Sequence, residues 1–406
     1  MKFAALAACL LTGLARAQST WYVDVSAVAP GVGTSASPYT SIQAAISQSS
    51  TAHGDTLVVA PGLYEERLLV NKRIKIVSSG GPLVTTLRPT VSGSTVRLNG
   101  TIDQFSATVL EGFTVLKRVG DSAPGVEGTS GTLRRCIVLG NGLGIGALTN
   151  YDLAVENCLI TGHGIGMFST YVNFIYGRNN IVVGNSTYDV DVSNADFSQY
   201  SCYGTGFFSS TPGLVTADPA LRDPSGHDFH LLATSPCIDT GAPTSPLDPD
   251  GSRADMGPLV FDASYAPFST YCTAKTNSQG CVPAIGASGT ASFSSNQAFD
   301  ITCTNELNNK LGLLFYGTGA HITTYQGGWL CVKAPTQRTA VIDSGGNVGP
   351  DDCSGVYAFD FNALIRSGLD ERLVPGVTVY AQFWSRDPGA SATTNRSDAL
   401  RFTLAP

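Results

Sequence analysis

Apolar residues recur along the middle of the chain with a period of 22 residues. Val138, Ile160 and Val182 are each 22 residues apart, and each lies in a short run of β-branched residues. A glycine and a polar residue follow each run, in the pairs Gly140-Asn141, Gly162-His163 and Gly184-Asn185. A strand and a turn in every unit of about 20 to 30 residues are typical of stacked repeat folds. The pattern predicts an all-β fold, a right-handed parallel β-helix with about 22 residues per rung.

The residues before the repeat predict how the stack begins. Residues 21–25, 55–60 and 73–77 are short apolar runs bounded by turn residues, which is typical of strands. Between them, residues 41–46 place Ile42, Ala45 and Ile46 on one face of a short helix. Because a repeat stack leaves the core of its first rung open, we expect this helix to cap it.

The pattern changes after residue 262. Residues 377–384 and 400–404 alternate apolar and polar side chains between glycine-rich turns. Such alternation is typical of antiparallel strands that bury one face. We therefore expect a β-helix over residues 18–262 and a small antiparallel β-sandwich over residues 263–406.

The first 17 residues have the pattern of a secretory signal peptide. Lys2 supplies the positive start, residues 3–14 are apolar, and residues 15–17 form a small-x-small cleavage site. The apolar stretch is too short to span a bilayer, and no later segment is apolar enough. The net charge of −7 argues against a basic protein that binds nucleic acid. These features predict a secreted protein, extracellular or at the cell surface, with no membrane span.

Ten cysteines include Cys9 in the signal, which leaves nine in the exported chain. Export favours disulfides. Cys136 and Cys158 are one repeat apart, and neighbouring strands lie about 4.8 Å apart, within the Cα range of a disulfide. We therefore expect these two cysteines to be bonded. Two further pairs are expected from their proximity in the sequence, Cys272 with Cys281 and Cys331 with Cys353.

Two groups of motifs resemble a known superfamily. Near the start, residues 39–46 read Tyr-x-Ser-Ile-Gln-Ala-Ala-Ile and residues 61–66 read Pro-Gly-x-Tyr-x-Glu. Near residue 230, Asp-Phe-His-Leu (228–231) precedes Ser-Pro-Cys-Ile-Asp (235–239). This order resembles secreted bacterial right-handed β-helix proteins of the pectin-lyase-like superfamily. The remaining C-terminal segment resembles a recurrent module of diverse exported bacterial proteins.

The resemblance implies a fold and leaves the activity open. The superfamily contains polysaccharide lyases, glycoside hydrolases, pectin esterases and members without an established activity. Residues 162–164 (Gly-His-Gly) match part of a hydrolase motif, but the paired aspartates that this chemistry needs are missing. Asn173 stands where the esterase motif has its nucleophilic aspartate, which excludes that mechanism.

A lyase of this fold needs a base that removes the proton α to a uronate carboxyl group. Lys117, Arg118 and Arg178 are the candidate catalytic residues, with His163 as a fourth. His163 also has a simpler interpretation, because it replaces asparagine at a repeated turn position. The arginine motif of pectate lyases is missing. No catalytic signature is complete.

Aromatic and basic residues between positions 134 and 178 are candidates for binding a glycan, because exposed rings can stack on sugar faces. They are Tyr151, Tyr171, Tyr176, Arg134 and Arg135. Aromatic residues of this segment are equally expected to fill the core or to cover a loop. In the 22-residue frame, Arg134, Glu156 and Arg178 lie on successive rungs, which predicts a surface ladder of alternating charge.

Asp248, Asp250 and Asp255 place three carboxylates in one tight turn. Oxygen ligands at such spacing can hold Ca²⁺, which is the candidate cofactor. The distal glutamate of an EF-hand is missing, and a plain Asp-Gly turn is the favoured interpretation.

Two functions remain open from the sequence. The first is recognition of an extracellular or cell-wall polysaccharide, with processing left undecided. The second is a non-catalytic surface, matrix or adhesion protein in which the β-helix is a rigid scaffold and the sandwich makes the contacts.

Overall fold

The protein is almost entirely β-structure. The computed structural model describes residues 17–99, 108–169, 174–192, 199–207 and 211–406, apart from the side chains of residues 148–152, 174 and 207. Most of the expected signal peptide therefore lies outside the described residues. Long parallel sheets up to residue 207 and antiparallel sheets after residue 268 confirm the predicted fold class.

The strands of the parallel part are short, as expected for the sides of a rung. They are β1 (Thr20–Val23), β2 (Thr56–Val59), β3 (Gly62–Tyr64), β4 (Leu68–Val70), β5 (Lys75–Ser78), β6 (Thr85–Leu87), β7 (Val96–Asn99), β8 (Val109–Glu111), β9 (Thr114–Leu116), β10 (Val126–Arg134), β11 (Ile137–Leu139), β12 (Ile145–Glu156), β13 (Leu159–Thr161), β14 (Ile165–Ser169), β15 (Phe174–Arg178), β16 (Ile181–Val182), β17 (Tyr188–Asp191), β18 (Cys202–Tyr203) and β19 (Gly206–Phe207).

These strands form three faces. Face one contains β1, β2, β5, β8, the second parts of β10 and β12, and β15. Face two is a seven-stranded sheet of β3, β6, β9, β11, β13, β16 and β18. Face three contains β4, β7, the first parts of β10 and β12, β14, β17 and β19. Faces one and three belong to one hydrogen-bonded sheet because β10 and β12 run along both.

The repeated apolar positions are stacked in the predicted register. Val138 is paired with Ile160, and Ile160 with Val182. All three side chains are buried in one core that extends through the stack. The apolar pattern therefore does two things at once, because it selects the inward positions and aligns each rung with the next.

The predicted cap is confirmed as helix α1 (Ile42–Ser47). Its Ile42, Ala45 and Ile46 side chains are buried in the core of the stack. Ser41 caps the helix by accepting from the Ala44 N–H, and the Glu66 carboxylate accepts from the N–H groups of residues 42 and 43. These bonds satisfy the unpaired donors of the first turn. The cap is thereby fastened to the residues that follow β3.

The segment after β19 folds back over face two. It contains β20 (Leu221–Asp223), a 3-10 helix (Pro224–Gly226) and β21 (Asp228–Leu231). Leu221, Phe229 and Leu231 of this segment pack against face-two residues such as Leu159 and Ile181. Face two therefore has apolar layers on both of its sides, one inside the stack and one outside it.

The C-terminal part is built from antiparallel strands and one helix, α2 (Phe361–Ser367). The strands are β22 (Phe268–Tyr271), β23 (Ala284–Ser288), β24 (Asp300–Glu306), β25 (Leu311–Gly317), β26 (Ala320–Tyr325), β27 (Gly328–Val332), β28 (Gln337–Arg338), β29 (Ile342–Asp343), β30 (Gly355–Asp360), β31 (Thr378–Arg386) and β32 (Thr394–Thr403). β22, β25, β28, β29, β31 and β32 form one sheet, and β23, β24 and β30 form another.

Disulfides join distant parts of this C-terminal region, and the expected local pairs are wrong. Cys272 is bonded to Cys331, and Cys281 is bonded to Cys353. The ends of β22 and β27 are brought together because Tyr271 Oη donates to the Cys331 carbonyl group. A tight turn in residues 277–281 faces the loop before β30. Tertiary packing, rather than proximity in sequence, decides both pairs.

The expected bond between Cys136 and Cys158 is also wrong, because both residues are separate buried thiols. Their rungs are neighbours, as predicted. Equivalent side chains of adjacent parallel strands project in the same direction, so the separation of their sulfurs follows the strand spacing of about 4.8 Å. A disulfide needs Cβ atoms that converge to about 3.8 Å. Each thiol instead donates to a backbone carbonyl group, Cys136 to Arg134 at 3.2 Å and Cys158 to Glu156 at 3.3 Å.

Candidate functional site

The charge ladder predicted from the 22-residue frame is present on face one. Arg134 Nε lies 2.9 Å from Glu156 Oε2, and Arg178 Nη2 lies 2.9 Å from Glu156 Oε1. Glu111 extends the ladder by one rung, at 3.6 Å from Arg134. Arg178 is therefore ion-paired. Partly exposed pairs of this kind contribute about 0 to 1 kcal/mol each to stability. The ladder therefore shows that the rungs are in register, and it stabilises the fold only slightly.

Lys117 is placed as a loop anchor. Its side chain is buried, and Nζ donates to the Leu143 carbonyl group at 2.6 Å. Burial lowers the pKa of Lys117, against the raising effect of Asp121. Arg118 is exposed, and its carbonyl group accepts from the Asn141 side chain at 2.8 Å. Lys117 and Arg118 follow β9 of face two, whereas Arg178 is paired with Glu156 on face one, so the structure separates these candidates by strand and by partner.

His163 lies inside the stack. The side chain is fully buried, its Nε2 is 3.2 Å from the Val138 carbonyl oxygen, and its backbone N–H donates to Asn185 Oδ1. Burial lowers its pKa to about 3. A neutral imidazole enclosed between rungs has no access to a polymer outside the protein. The structure therefore agrees with the interpretation of His163 as a structural residue.

The other candidate glycan-binding residues are dispersed. Arg135 is exposed at a corner between faces one and two, where it adopts a positive φ of 48° that Asn157 and Asn179 repeat on the next rungs. Tyr176 on face one is 36% exposed. The side chain of Tyr151 and the whole of Tyr171 lie outside the described residues. The expected aromatic patch is represented in the described part by Tyr176.

The aspartate turn is organised by backbone groups. Asp248 Oδ2 accepts from the Asp255 N–H, and Asp250 Oδ1 accepts from the Ser252 N–H. Asp255 accepts from the N–H groups of Asp239 and Phe261 through its two oxygens. Among the described residues, no group of three or more His, Cys, Asp or Glu side chains is placed to hold a metal ion. These contacts agree with the favoured interpretation of a hydrogen-bonded turn rather than with the Ca²⁺ alternative.

A hollow on face three was missed by the sequence analysis. It has a volume of 340 Å³ and is lined by Gln43, Arg67, Leu68, Leu69 and Arg97. We call it the arginine hollow. Leu69 on β4 is paired with Arg97 on β7, and both side chains point outward between buried neighbours. The Leu69 side chain is 45% exposed, and it presents an apolar surface beside two guanidinium groups.

The two arginines of the hollow are held differently. Arg67 donates from Nε to the Ser94 carbonyl group at 2.8 Å and from Nη1 to the Ser92 carbonyl group at 2.7 Å. Arg97 is 49% exposed and has one charged partner, Glu127, at 3.0 Å. Two of the five residues that line the hollow are arginines and none is acidic, while the carboxylates of Glu127 and Glu66 lie against Arg97 and Gln43. A fixed cation, a mobile cation and an apolar surface are together suited to an acidic sugar.

A sequence signal for the hollow existed, but it was incomplete. In Val96-Arg97-Leu98 two apolar residues flank a charged one, and this alternation predicts a strand in which Arg97 points outward. Leu69, Arg97 and Glu127 are successive neighbours across face three, yet they are 28 and 30 residues apart in the chain. This departure from 22 residues arises from loops of different length, so the period could not place these residues side by side.

The C-terminal region exposes apolar side chains on the β26–β27 hairpin. Ile322 is 63% exposed, Tyr325 is 48% exposed and Trp329 is 38% exposed. The guanidinium of Arg396 stacks on the Tyr325 ring at 4.6 Å. Trp329 is paired with Thr324, so strand alternation places Trp329 and Tyr325 on opposite sides of the hairpin.

Comparisons with known proteins give little beyond the fold. No protein-family model matches the chain. A curated cell surface glycoprotein from Methanothermus fervidus is 36% identical over 61 residues, which is 15% of this chain and 10% of that protein. A solved structure of pectate lyase Pel9A matches 61% of this chain and 97% of its own, with a TM-score of 0.29 and 13% identity. The chain thus spans about a tenth of the curated relative, and the structural likeness carries no argument about activity.

No helix in the described part of the chain has both the length and the apolar character that crossing a bilayer needs.

Proposed function

We propose that the protein is an exported polysaccharide-recognition protein that binds acidic glycan at the arginine hollow and does not cleave it. The observation that carries this proposal is the pairing of Arg97 with Leu69 on the outer side of face three, beside the fixed guanidinium of Arg67. The partial match to a cell surface glycoprotein is consistent with a location outside the cell.

The chemistry of the hollow fits a uronate-type sugar. Arginine recognises a carboxylate through parallel N–H donors, with both charge and geometry. A sugar ring has apolar C–H faces, and Leu69 offers an exposed apolar surface next to the two arginines. A glycan carboxylate that reaches Arg97 replaces Glu127, with which Arg97 pairs in the free protein. Binding is therefore expected to weaken as salt rises.

The positions of Lys117, His163 and Arg178 support binding without cleavage. Lys117 and His163 are buried and hydrogen-bonded to backbone carbonyl groups of neighbouring rungs or loops. Arg178 is paired with Glu156 on face one, whereas the hollow opens on face three. Among the described residues that line the hollow, the ionisable side chains are Arg67 and Arg97, and each is already held by an acceptor in the free protein.

Calorimetric titration with polygalacturonate, alginate and neutral dextran tests the proposal. We expect binding to the two acidic polymers, no binding to dextran, and no new reducing ends or unsaturated uronate absorbance. Arg97→Ala should weaken binding about tenfold or more. Arg134→Ala is the matched control, since it removes a similarly exposed arginine with a carboxylate partner from face one. Equal losses in both variants, or chain cleavage by the wild type, would contradict the proposal.

A second candidate function is attachment through the C-terminal region, with the β-helix as a scaffold. The exposed Ile322, Tyr325 and Trp329 on the β26–β27 hairpin favour it. A protein that ignores every glycan of the panel, yet binds intact bacterial cells and loses that binding in Trp329→Ser, would support this second function over the first.

A further inference from the structure

A thiol pair lies in the outer apolar layer of face two. Cys202 belongs to β18, the last strand of that face, and Cys237 belongs to the segment that folds back over it. Both side chains are fully buried, and the proximity of the two thiols raises the pKa of Cys202 and lowers the pKa of Cys237. Cys202 Sγ also lies 3.4 Å from the Ala217 carbonyl oxygen. The two cysteines thus lie in one apolar layer, between a strand of face two and the segment that covers it.

Cys136 and Cys158 are also neighbouring buried thiols, so proximity does not distinguish the two pairs, but their orientation does. Those two side chains are in the inner core, at equivalent positions of adjacent rungs, and they project in parallel. Cys202 is paired with Ile181, which also packs in the outer layer, so its side chain points out of the stack. Cys237 packs against it from the opposite side. Side chains that approach each other from facing layers can bring their Cβ atoms to the separation a disulfide needs.

We infer that Cys202 and Cys237 form a third disulfide in the exported protein. The two thiols lose two protons and two electrons to a disulfide oxidant of the export compartment, which is itself reduced to two thiols. One S–S bond forms in the protein, and one S–S bond breaks in the oxidant. The other two disulfides already require such an environment. Cys136, Cys158 and Cys303 remain as buried thiols.

The bond links the covering segment covalently to the last described rung. That segment also holds the C-terminal region, because Thr290 Oγ1 donates to Asp223 Oδ2 at 2.9 Å and His227 Nδ1 lies 2.8 Å from Ser294 Oγ. A disulfide between Cys202 and Cys237 therefore holds the covering segment against the last described rung. Because the same segment contacts Thr290 and Ser294, the bond also fixes the part of the chain to which the C-terminal region is hydrogen-bonded. This inference is independent of glycan binding.

Tryptic mapping of protein that is exported to an oxidising compartment, and then denatured without a reductant in the presence of an alkylating reagent, tests the inference. Arg222 separates the two cysteines, so cleavage yields a peptide 179–222 with Cys202 and a peptide 223–253 with Cys237. We expect these two peptides to be linked until a reductant is added. Cys136 and Cys158 share the peptide 136–178, and both should be recovered alkylated. Recovery of Cys202 and Cys237 as alkylated thiols, or bonded to other cysteines, would overturn the inference.

Thermal unfolding provides a second readout. Cys237→Ala should lower the melting temperature by about 5 °C or more, and adding Cys202→Ala should lower it little further, because either change removes the same bond. Cys158→Ala is the control for the loss of a buried sulfur without a disulfide, and it should cost less. An equal loss in Cys158→Ala and Cys237→Ala, or additive losses from the two members of the pair, would contradict the bond.

Discussion

Arg97 Nη2 lies 3.0 Å from Glu127 Oε1, and the arginine side chain is about half exposed while the glutamate is mostly covered. Ser94 Oγ holds the other oxygen of Glu127 at 2.9 Å. The carboxylate is therefore fixed and the guanidinium is the movable partner. In the free protein Glu127 occupies the position at Arg97 that a glycan carboxylate would take.

Removing that competitor should strengthen glycan binding. We expect Glu127→Gln to raise the affinity for polygalacturonate about 1.4- to fivefold, since an exposed ion pair contributes about 0.2 to 1 kcal/mol. Titration calorimetry at low salt measures the change. Glu156→Gln, which removes a carboxylate from the face-one ladder, should leave the affinity unchanged. A weaker affinity in Glu127→Gln would show that Glu127 helps to hold the ligand.

His163 should make the protein less stable in mild acid. Burial lowers its pKa from 6.5 to about 3, so below pH 6.5 the unfolded chain binds a proton that the folded protein does not. Above pH 6.5 His163 does not make the free energy of unfolding depend on pH. Below pH 6.5 the free energy of unfolding falls by up to about 1.4 kcal/mol per pH unit. Melting curves of the wild type and His163→Asn between pH 7 and 4 measure it. The variant, which carries the residue found at positions 141 and 185, should lose less stability on acidification.

Glu306 should have the opposite effect in the C-terminal region. Burial is the main reason that its pKa rises to about 7, although Ser385 Oγ at 2.9 Å and the Cys303 thiol donate to its carboxylate. Between pH 4.5 and 7 the folded protein holds a proton that the unfolded chain has released, so stability falls as the pH rises. Glu306→Gln should therefore raise the melting temperature at pH 8 and change it little at pH 5. A variant that is less stable at pH 8 would contradict this assignment.

The stability costs of double cysteine variants should show which cysteines are bonded to each other in the C-terminal region. Cys272→Ser and Cys331→Ser should each cost about 2 to 4 kcal/mol, and the double variant should cost about the same as one of them. Cys272→Ser combined with Cys281→Ser breaks two bonds and should be close to additive. Chemical unfolding of the wild type, these four variants and the single variant Cys281→Ser measures these costs. Additivity of Cys272 with Cys331 would contradict their bond.

The sequence predicted those features that repeat. Val138, Ile160 and Val182 identified the rungs and their register because inward positions of a stack must be apolar and aligned. Helix α1 was predictable from its apolar face and from the need to close the first rung. The ladder of Arg134, Glu156 and Arg178 followed from the same period.

The candidate site was less predictable because it depends on the directions in which side chains point and on the lengths of the loops between strands. Lys117 looks free in the sequence, yet the fold turns its ammonium group onto the Leu143 carbonyl group. Arg67, Arg97 and Glu127 meet across rungs of unequal length, where the 22-residue frame does not apply. The cysteine pairs failed for a related reason, since strand spacing alone does not say whether two Cβ atoms converge.

Arginine footprinting tests the central claim most directly. Phenylglyoxal modification of the folded protein, with and without polygalacturonate, is read by mass spectrometry at Arg97, with Arg134 and Arg178 as internal references on face one. Recognition at the hollow predicts that the polymer protects Arg97, leaves the two reference arginines unchanged and is itself recovered at full length. Protection of Arg134 or Arg178 with Arg97 still reactive, or recovery of a shortened polymer, would contradict the account.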